Sequence, residues 1–334
     1  MWHVGIDLHR TTVVMAAVND AGEAMKPITI ACEDTAAIVE PAKKLGAFRA
    51  VIEASGTYRW LHDLLRPYGT ILLAHPLRLR AMIQRRSKTD KLDAQLLANL
   101  LRINQIPLAY IPPEPYQQLR DLTRCRARLA RDQARVKIKL RGLLARQNRQ
   151  APYRVPFGVR GIAWFRKQDF GPIENLVRDE LLARLEHFGR QVAILDQHIA
   201  QLHQAFPQVE ALTTIHGVGL FSALLIVAEL GEVERFRTAK QVGAYAGLTT
   251  RVQQSGGHCY RGSITREGSP WLRWILVEAA MKATREDAAL KNFYTRVRKR
   301  ASAKIARVAT ARKLAEICWK RLRRWHSEHA PVAA

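Results

Sequence analysis

Residues 2–18, WHVGIDLHRTTVVMAAV, decide the fold. Trp2–Asp7 and Thr11–Val18 are apolar runs rich in β-branched residues, separated only by Leu8-His9-Arg10. So short a link between two strand-like runs predicts an antiparallel pair. Reading outward, Pro27–Cys32 is a third strand and Asp34–Leu45 has helical spacing. Arg49–Glu53 (RAVIE) is a strand entering the small-residue turn Ala54-Ser55-Gly56. Tyr58–Arg66 is a helix, Thr70–Ala74 (TILLA) a strand, and Pro76–Arg86 and Lys91–Ile103 are helices. Three strands without intervening helices, then helix-linked strands, predict a mixed sheet: hairpins make antiparallel neighbours and helical crossovers make parallel ones.

Pro107, Pro112, Pro113 and Pro115 punctuate the chain and mark a boundary. Three regions are expected: 1–110, an α/β domain; 116–205, a basic helical region; and 206–326, mostly helical. Two long helices are expected, at Tyr116–Gln147 and Ile173–Ala205. In the second, Leu181, Leu185, Phe188, Val192, Leu195, Ile199 and Leu202 follow alternating spacings of four and three, the a/d pattern of a coiled coil. The first carries a looser version at Leu119, Leu122, Leu129, Val136, Leu140 and Leu143. The pair reads as a helical hairpin or a dimer-forming coiled coil, with an ordinary two-helix layer as the alternative. Thr213–Gly231 is an apolar helix entered through Gly217-Val218-Gly219, and Thr238–Ala246 is another helix. Leu248–Gly262 is a hairpin or irregular loop, and the pattern is helical from Pro270 to Trp325.

The chain has 334 residues, a length typical of about two domains. It carries 54 Lys+Arg against 29 Asp+Glu, a net +25, and 39 of the bases are arginine. Hydrophobic residues make up 48 %, enough for real cores. Such a charge calls for a polyanion, nucleic acid first and an anionic membrane surface second. The bases are concentrated: 11 against 2 acids between Arg120 and Arg149, and 13 against 1 between Lys291 and Arg324. A helix so one-sided in charge repels itself unless an anion is near, which suits phosphate contact. The bases expected at phosphate are Arg124, Arg128, Arg131, Arg135 and Lys139 in the first segment and Arg298 and Arg300 in the second. No apolar stretch approaches membrane-spanning length and no signal peptide is evident. Cys32, Cys125, Cys259 and Cys318 are widely spaced, which argues against a zinc site and a disulfide framework and fits a reducing cytoplasm.

Acids are scarce, so their placement is informative. Asp7 ends the first strand and Glu53 the fourth; Asp90 and Asp93 lie in Lys88-Thr-Asp-Lys-Leu-Asp at the start of a helix. Spacing i, i+3 puts the last two on one helix face. If the two strand ends converge with that face, four carboxylates form a hard-oxygen site suited to Mg²⁺ and to phosphodiester chemistry. Taken singly, Asp7 could end a turn, and Asp90 and Asp93 could complement a helix dipole. Actin-like and sugar-kinase ATPases also open with Gly-Ile-Asp, but they need a small-residue turn at phosphate. Here the turn is Leu8-His9-Arg10, and no Walker-type loop is present.

Thr249–Gly257 ends in Gln254-Ser255-Gly256-Gly257 and continues through Tyr260-Arg261-Gly262 and Arg266-Glu267-Gly268. The paired glycines would let backbone approach a phosphate, and Arg251, Arg261 and Arg266 could neutralise it. An activated Ser255 could attack a phosphodiester, Tyr260 is a rival nucleophile, and Ser-Gly-Gly can also be only a turn.

These residues resemble insertion-sequence transposases of the one-ten type and the related Piv-type DNA invertases. The resemblance rests on G-I-D at Asp7, I-E-A-S-G at Glu53 and K-T-D-x-x-D at Asp90 and Asp93. It continues in I-x-G-V-G at 215–219, A-Y-A-G-L at 244–248, Q-S-G-G at 254–257 and E-G-S-P-W-L-R-W-I-L-V-E-A-A at 267–280. His216 stands where the family has proline, and Thr249-Thr250 replaces its x-Pro. The resemblance implies a RuvC-like, RNase H-type domain with a DEDD metal site at Asp7, Glu53, Asp90 and Asp93. It also implies a coiled-coil middle and a helical transposase domain whose serine nucleophile is Ser255. It further implies DNA as donor and target and a structured bridge RNA; sites on two separated domains lead to the expectation of a homo-oligomer (dimer or tetramer), and the expected location is cytoplasmic and nucleoid-associated. The rival functions are a hydrolytic junction nuclease using the same acids, and a non-catalytic nucleic-acid-binding protein.

Overall fold

The computed structural model describes residues 1–82 and 89–329. The last residues of the expected Pro76–Arg86 helix, and Lys88 of the K-T-D motif, lie outside them. The chain divides into two units, Met1–Ile111 and Pro112–Ala334.

The first unit is a mixed sheet with helices on both faces. Its elements are β1 (Trp2–Leu8), β2 (Thr12–Asn19), β3 (Ile28–Ala31), α1 (Thr35–Leu45), β4 (Phe48–Glu53), α2 (Tyr58–Leu65), β5 (Thr70–Ala74), α3 (Pro76–Met82), α4 (Asp90–Arg102) and β6 (Leu108–Ala109). The strand order is β3-β2-β1-β4-β5-β6. β1 pairs antiparallel with β2 and parallel with β4, and β4 pairs parallel with β5. The expected mixed sheet is therefore the one observed. The proline-rich segment adds what spacing did not predict: two residues of β6 pair antiparallel with β5.

Strand alternation sorts the two faces. Val4, Ile6, Val13, Met15, Ala50 and Ile52 pack with Ile38 and Ala42 of α1 and Leu61 and Leu65 of α2. On the opposite face Val14 and Ala16 meet Ala94, while Val51 meets Leu97 and Leu101 of α4. Gly5 lies on this second face. A Cβ there would collide with the Ala94 carbonyl oxygen and the Ala98 amide and would sit 2.8 Å from the Leu97 Cβ. Glycine at this position lets α4 lie directly on β1.

Among the described residues the second unit is helical apart from one hairpin. It comprises α5 (Glu114–Arg146), α6 (Val159–Arg166), α7 (Pro172–Leu202), α8 (Glu210–Thr213), α9 (Leu220–Leu230), α10 (Ala239–Tyr245), β7 (Thr250–Ser255), β8 (His258–Ile264), α11 (Pro270–Glu286), α12 (Ala288–Arg300) and α13 (Ala303–Glu328). α5 and α7 pack on each other within the chain. Val136, Leu140, Leu143 and Leu144 of α5 meet Leu181, Leu182 and Leu185 of α7 around Phe165 and Phe170. At the other end Leu119 and Ile199 join the main core of α9, α10, α11 and α13. Phe188, Val192 and Leu195 of the heptad are only half-buried.

Two expected helices differ in extent. The Thr213–Gly231 helix is confined to α9, because Gly217 at φ +82° and the extended Gly219 break the chain before it. The continuous run from Pro270 divides into three helices. Asp287 and Ser302 each turn a side-chain oxygen to the amide three residues on (Leu290 N, 2.9 Å; Ile305 N, 3.3 Å), capping a new helix where spacing alone suggests continuation.

Candidate functional site

Topology brings the acids of the first unit to one end of the sheet. Ile6 is level with Ile52 across the parallel β1–β4 ladder, so one step further places Asp7 beside Glu53. Both belong to the odd-numbered set that faces α4, with Gly5 and Val51. Ala94 lies over Gly5, so the first turn of α4, one turn earlier, reaches the end of β1. Thr89 caps that turn, its Oγ1 accepting from the Leu92 amide at 3.3 Å. Asp90 and Asp93 occupy the turn, where the helix dipole favours negative charge.

Among the described residues, the group of potential ligand atoms lying within 4.8 Å of one another is Asp7, His9 and Asp90. His9 Nε2 is 3.0 Å from Asp7 Oδ2 and 3.3 Å from Asp90 Oδ1. Glu53 and Asp93 stand outside this group. Asp93 is still close enough that its charge, like that of Asp90, pushes the Asp7 carboxyl up. The larger cause of that rise is burial, and His9 opposes it. Asp7 is thus a half-buried member of a carboxylate cluster, as Asp93 is, and a bound cation there would relieve electrostatic cost. Oxygen donors of this kind suit a hard divalent cation. Beyond the four acids, His9 joins the cluster; its signal in the sequence is the Asp-x-His spacing at the end of β1.

The second unit presents Ser255 at the tip of the β7–β8 hairpin, where it pairs in register with His258. Gly256 and Gly257 form the two-residue turn at φ +55° and +82°, a left-handed pair that glycine adopts without strain. Every residue from Arg251 to Tyr260 is exposed, including Ser255 and Tyr260.

The hairpin root is held by the A-Y-A-G-L and E-G-S-P-W motifs. The Thr265 amide donates to Thr249 O at 2.8 Å, and Arg266, at φ +56°, donates its amide to Gly247 O at 3.3 Å. Arg273 Nη1 donates to Ala246 O at 3.0 Å. A Cβ on Gly268 would collide with the Tyr245 carbonyl oxygen, so the two motifs pack backbone to backbone.

The bases divide by what they touch. Arg124 forks onto Glu229, with Nε to Oε1 at 2.6 Å and Nη2 to Oε2 at 2.8 Å, and Glu229 is 1 % exposed. Its guanidinium is committed to holding α5 on α9 and is removed from the set available to phosphate. Arg128 and Arg131 lie 5.6 and 4.8 Å from the centre of the Trp271 ring, with their charge still facing solvent. Arg135 is exposed beside Asp132, and Lys139 is exposed. Arg251 reaches Thr265 O at 3.4 Å and is exposed like Arg266. Arg298 and Arg300 are exposed in the last turn of α12. The Arg261 side chain lies outside the described part.

Comparison with known proteins finds matches in both the N-terminal and the C-terminal part of the chain. The sequence model of a DEDD transposase domain of the IS110 group, described as "Transposase", matches residues 4–148. That of the "Transposase IS116/IS110/IS902 family" matches residues 209–295. The chain is 27 % identical to the "Probable family 20 transposase" of Pseudomonas aeruginosa over 288 residues, covering 82 % of this chain and 83 % of that one. It is 22 % identical to the transposase for insertion sequence element IS1111A of Coxiella burnetii, covering 96 % and 89 %. It is 26 % identical to the pilin gene-inverting protein of Moraxella bovis, covering 69 % and 66 %. Among the described residues no helix is long and apolar enough to cross a membrane.

Proposed function

We propose a mechanism for a chain that belongs to the IS110/IS116 family of insertion-sequence transposases: it cuts and rejoins DNA through Ser255 with the help of a Mg²⁺ site. The observation that carries this reading is the meeting of Asp7 and Asp90 at the sheet end in a chain that also holds Ser255 on an exposed Gly-Gly hairpin. Asp7, Glu53, Asp90 and Asp93 would hold the cation. Bound there, Mg²⁺ would supply charge stabilisation at the phosphate being transferred.

The residues of the chain do the rest. Ser255 Oγ attacks phosphorus and its proton passes to solvent, while the bond to the leaving deoxyribose oxygen breaks and that oxygen takes up a proton from solvent to become a hydroxyl. The phosphoseryl ester keeps the energy of the phosphodiester, so a second strand's hydroxyl can displace Ser255 without a nucleotide cofactor. Arg251, Arg261 and Arg266 on the same hairpin hold the phosphate, and Arg128, Arg131, Arg135, Lys139, Arg298 and Arg300 grip nucleic-acid backbones. A structured bridge RNA, a homo-oligomer sharing acids and serine between protomers, and a nucleoid-associated cytoplasmic location complete the proposal.

Covalent trapping tests it. The full chain is incubated with Mg²⁺, its element's end junction and RNA transcribed from the flanks, and adducts are mapped after denaturing electrophoresis. A protein–DNA adduct at Ser255, lost in S255A and in D7A, is expected. Cleavage without an adduct would replace the serine reading with a hydrolytic nuclease; an adduct at Tyr260 would move the nucleophile.

A further inference from the structure

We propose that His9 is an inner-sphere ligand of the cation at Asp7 and Asp90, giving the site a mixed nitrogen–oxygen donor set that shifts it from Mg²⁺ toward transition-metal ions. This rests on the acidic-site reading above and adds to it a residue that reading does not use.

The spacing of the three side chains is close to that of ligands around one ion. An octahedral divalent cation with bonds of about 2.0–2.2 Å holds adjacent ligand atoms about 2.8–3.1 Å apart. His9 Nε2 stands 3.0 Å from Asp7 Oδ2 and 3.3 Å from Asp90 Oδ1. The pair Asp7–Asp90 falls within the same 4.8 Å group, short enough for both to share one ion. The side chain is 41 % exposed, so the imidazole is not there to fill a core. One Nε2–H shared between two carboxylates is bent away from both, whereas one Nε2 lone pair directed at an ion between them serves all three groups.

The backbone makes the placement firm. His9 N donates to Thr12 O at 2.9 Å, closing the β1–β2 turn, and Cys32 Sγ donates to His9 O at 3.6 Å. The residue is thus tied to the sheet at both its amide and its carbonyl. Asp90 is tied to α4, which Gly5 seats on the same strand.

An imidazole nitrogen is a softer donor than a carboxylate oxygen. It adds affinity for transition ions in the Irving–Williams series more than for Mg²⁺. Mn²⁺ is the transition ion whose coordination demand is nearest to that of Mg²⁺, and it is paramagnetic, so it serves as the probe.

The experiment loads the full chain, without nucleic acid, with one equivalent of Mn²⁺ and records pulsed EPR for ¹⁴N modulation. Mn²⁺ and Mg²⁺ affinities are measured by titration and competition on wild type, H9A, H9N and D7N, with circular dichroism confirming folding of each. Directly coordinated ¹⁴N is expected in wild type and lost in H9A and H9N. The two His9 variants should lose roughly tenfold or more in Mn²⁺ affinity and less in Mg²⁺ affinity. If D7N abolishes binding while H9A keeps the ¹⁴N signal and the Mn²⁺ preference, His9 is not a ligand and the acidic site stands. If wild type binds neither ion, or D7N binds like wild type, the acidic-site reading itself falls.

Discussion

Replacing Gly5 by alanine tests the link between strand packing and the candidate metal centre. The added Cβ would lie 2.8 Å from the Leu97 Cβ and closer still to the Ala94 carbonyl oxygen and the Ala98 amide. Carbon atoms pack at about 3.5–4.0 Å, so α4 must retreat by about 1 Å. The opposing atoms are helix backbone, which cannot swing aside as the end of a flexible side chain can. Overpacking of this kind costs about 1–3 kcal/mol, and this case belongs at the upper end. For a unit of this size that corresponds to a fall in Tm of roughly 10 °C. The same retreat separates Asp90 from Asp7, and metal ligands tolerate about 0.2 Å, so affinity should drop by an order of magnitude or more. The assay is a thermal melt with Mn²⁺ titration on the full chain. Gly142 in α5 is the control: no neighbour lies within 4 Å of its Cβ position, so G142A should leave metal binding alone and gain about 0.5–1 kcal/mol. If G5A melted within 2 °C or so of wild type and bound Mn²⁺ normally, the direct seating of α4 on β1 would be refuted.

Other expectations follow from the same contacts. E229A leaves the Arg124 guanidinium partly buried without its carboxylate, and should cost about 3–5 kcal/mol in denaturant unfolding; an effect under about 1 kcal/mol would show the pair to be incidental. Asp7 has a folded-state pKa above the ordinary 3.8, mainly through burial. Stability tied to it is present below that value and lost as pH rises through the folded pKa, so metal-free D7N should melt higher than wild type at neutral pH, the gap closing in acid. A saturating divalent ion should raise the wild-type Tm by mass action and leave D7N unmoved. Burial pushes the Cys318 thiol up to about 12, so a thiol reagent should label exposed Cys125 and Cys259 in the native protein and reach Cys318 only on unfolding.

The local grammar of the chain was readable without coordinates. Short continuous apolar runs specify β1, β2, β4 and β5, because strands covered on both faces need apolar residues at nearly every position, and 3.6-residue spacing specifies α1, α2 and α4, which bury one face each. The same reasoning missed β6, a two-residue strand that exists only because β5 offers it an edge. It ran α11 to α13 together, because a capping aspartate or serine inside a polar stretch looks like any other surface residue until the backbone turns there.

What the sequence by itself determined is the inventory: which carboxylates and bases are present, on which elements, and the family motifs that order them. What only the tertiary structure decided is the partnership of each charge. Arg124 and Arg135 are alike in a helical run of arginines, yet one is locked on buried Glu229 and the other faces solvent. His9 is a turn residue in the sequence and stands between two aspartates in space, although Asp90 is 81 positions further along the chain. Spacing along a chain fixes which side chains share a face of one element. Which charge meets which across elements depends on how closely two backbones approach, and here a glycine in β1 sets that distance.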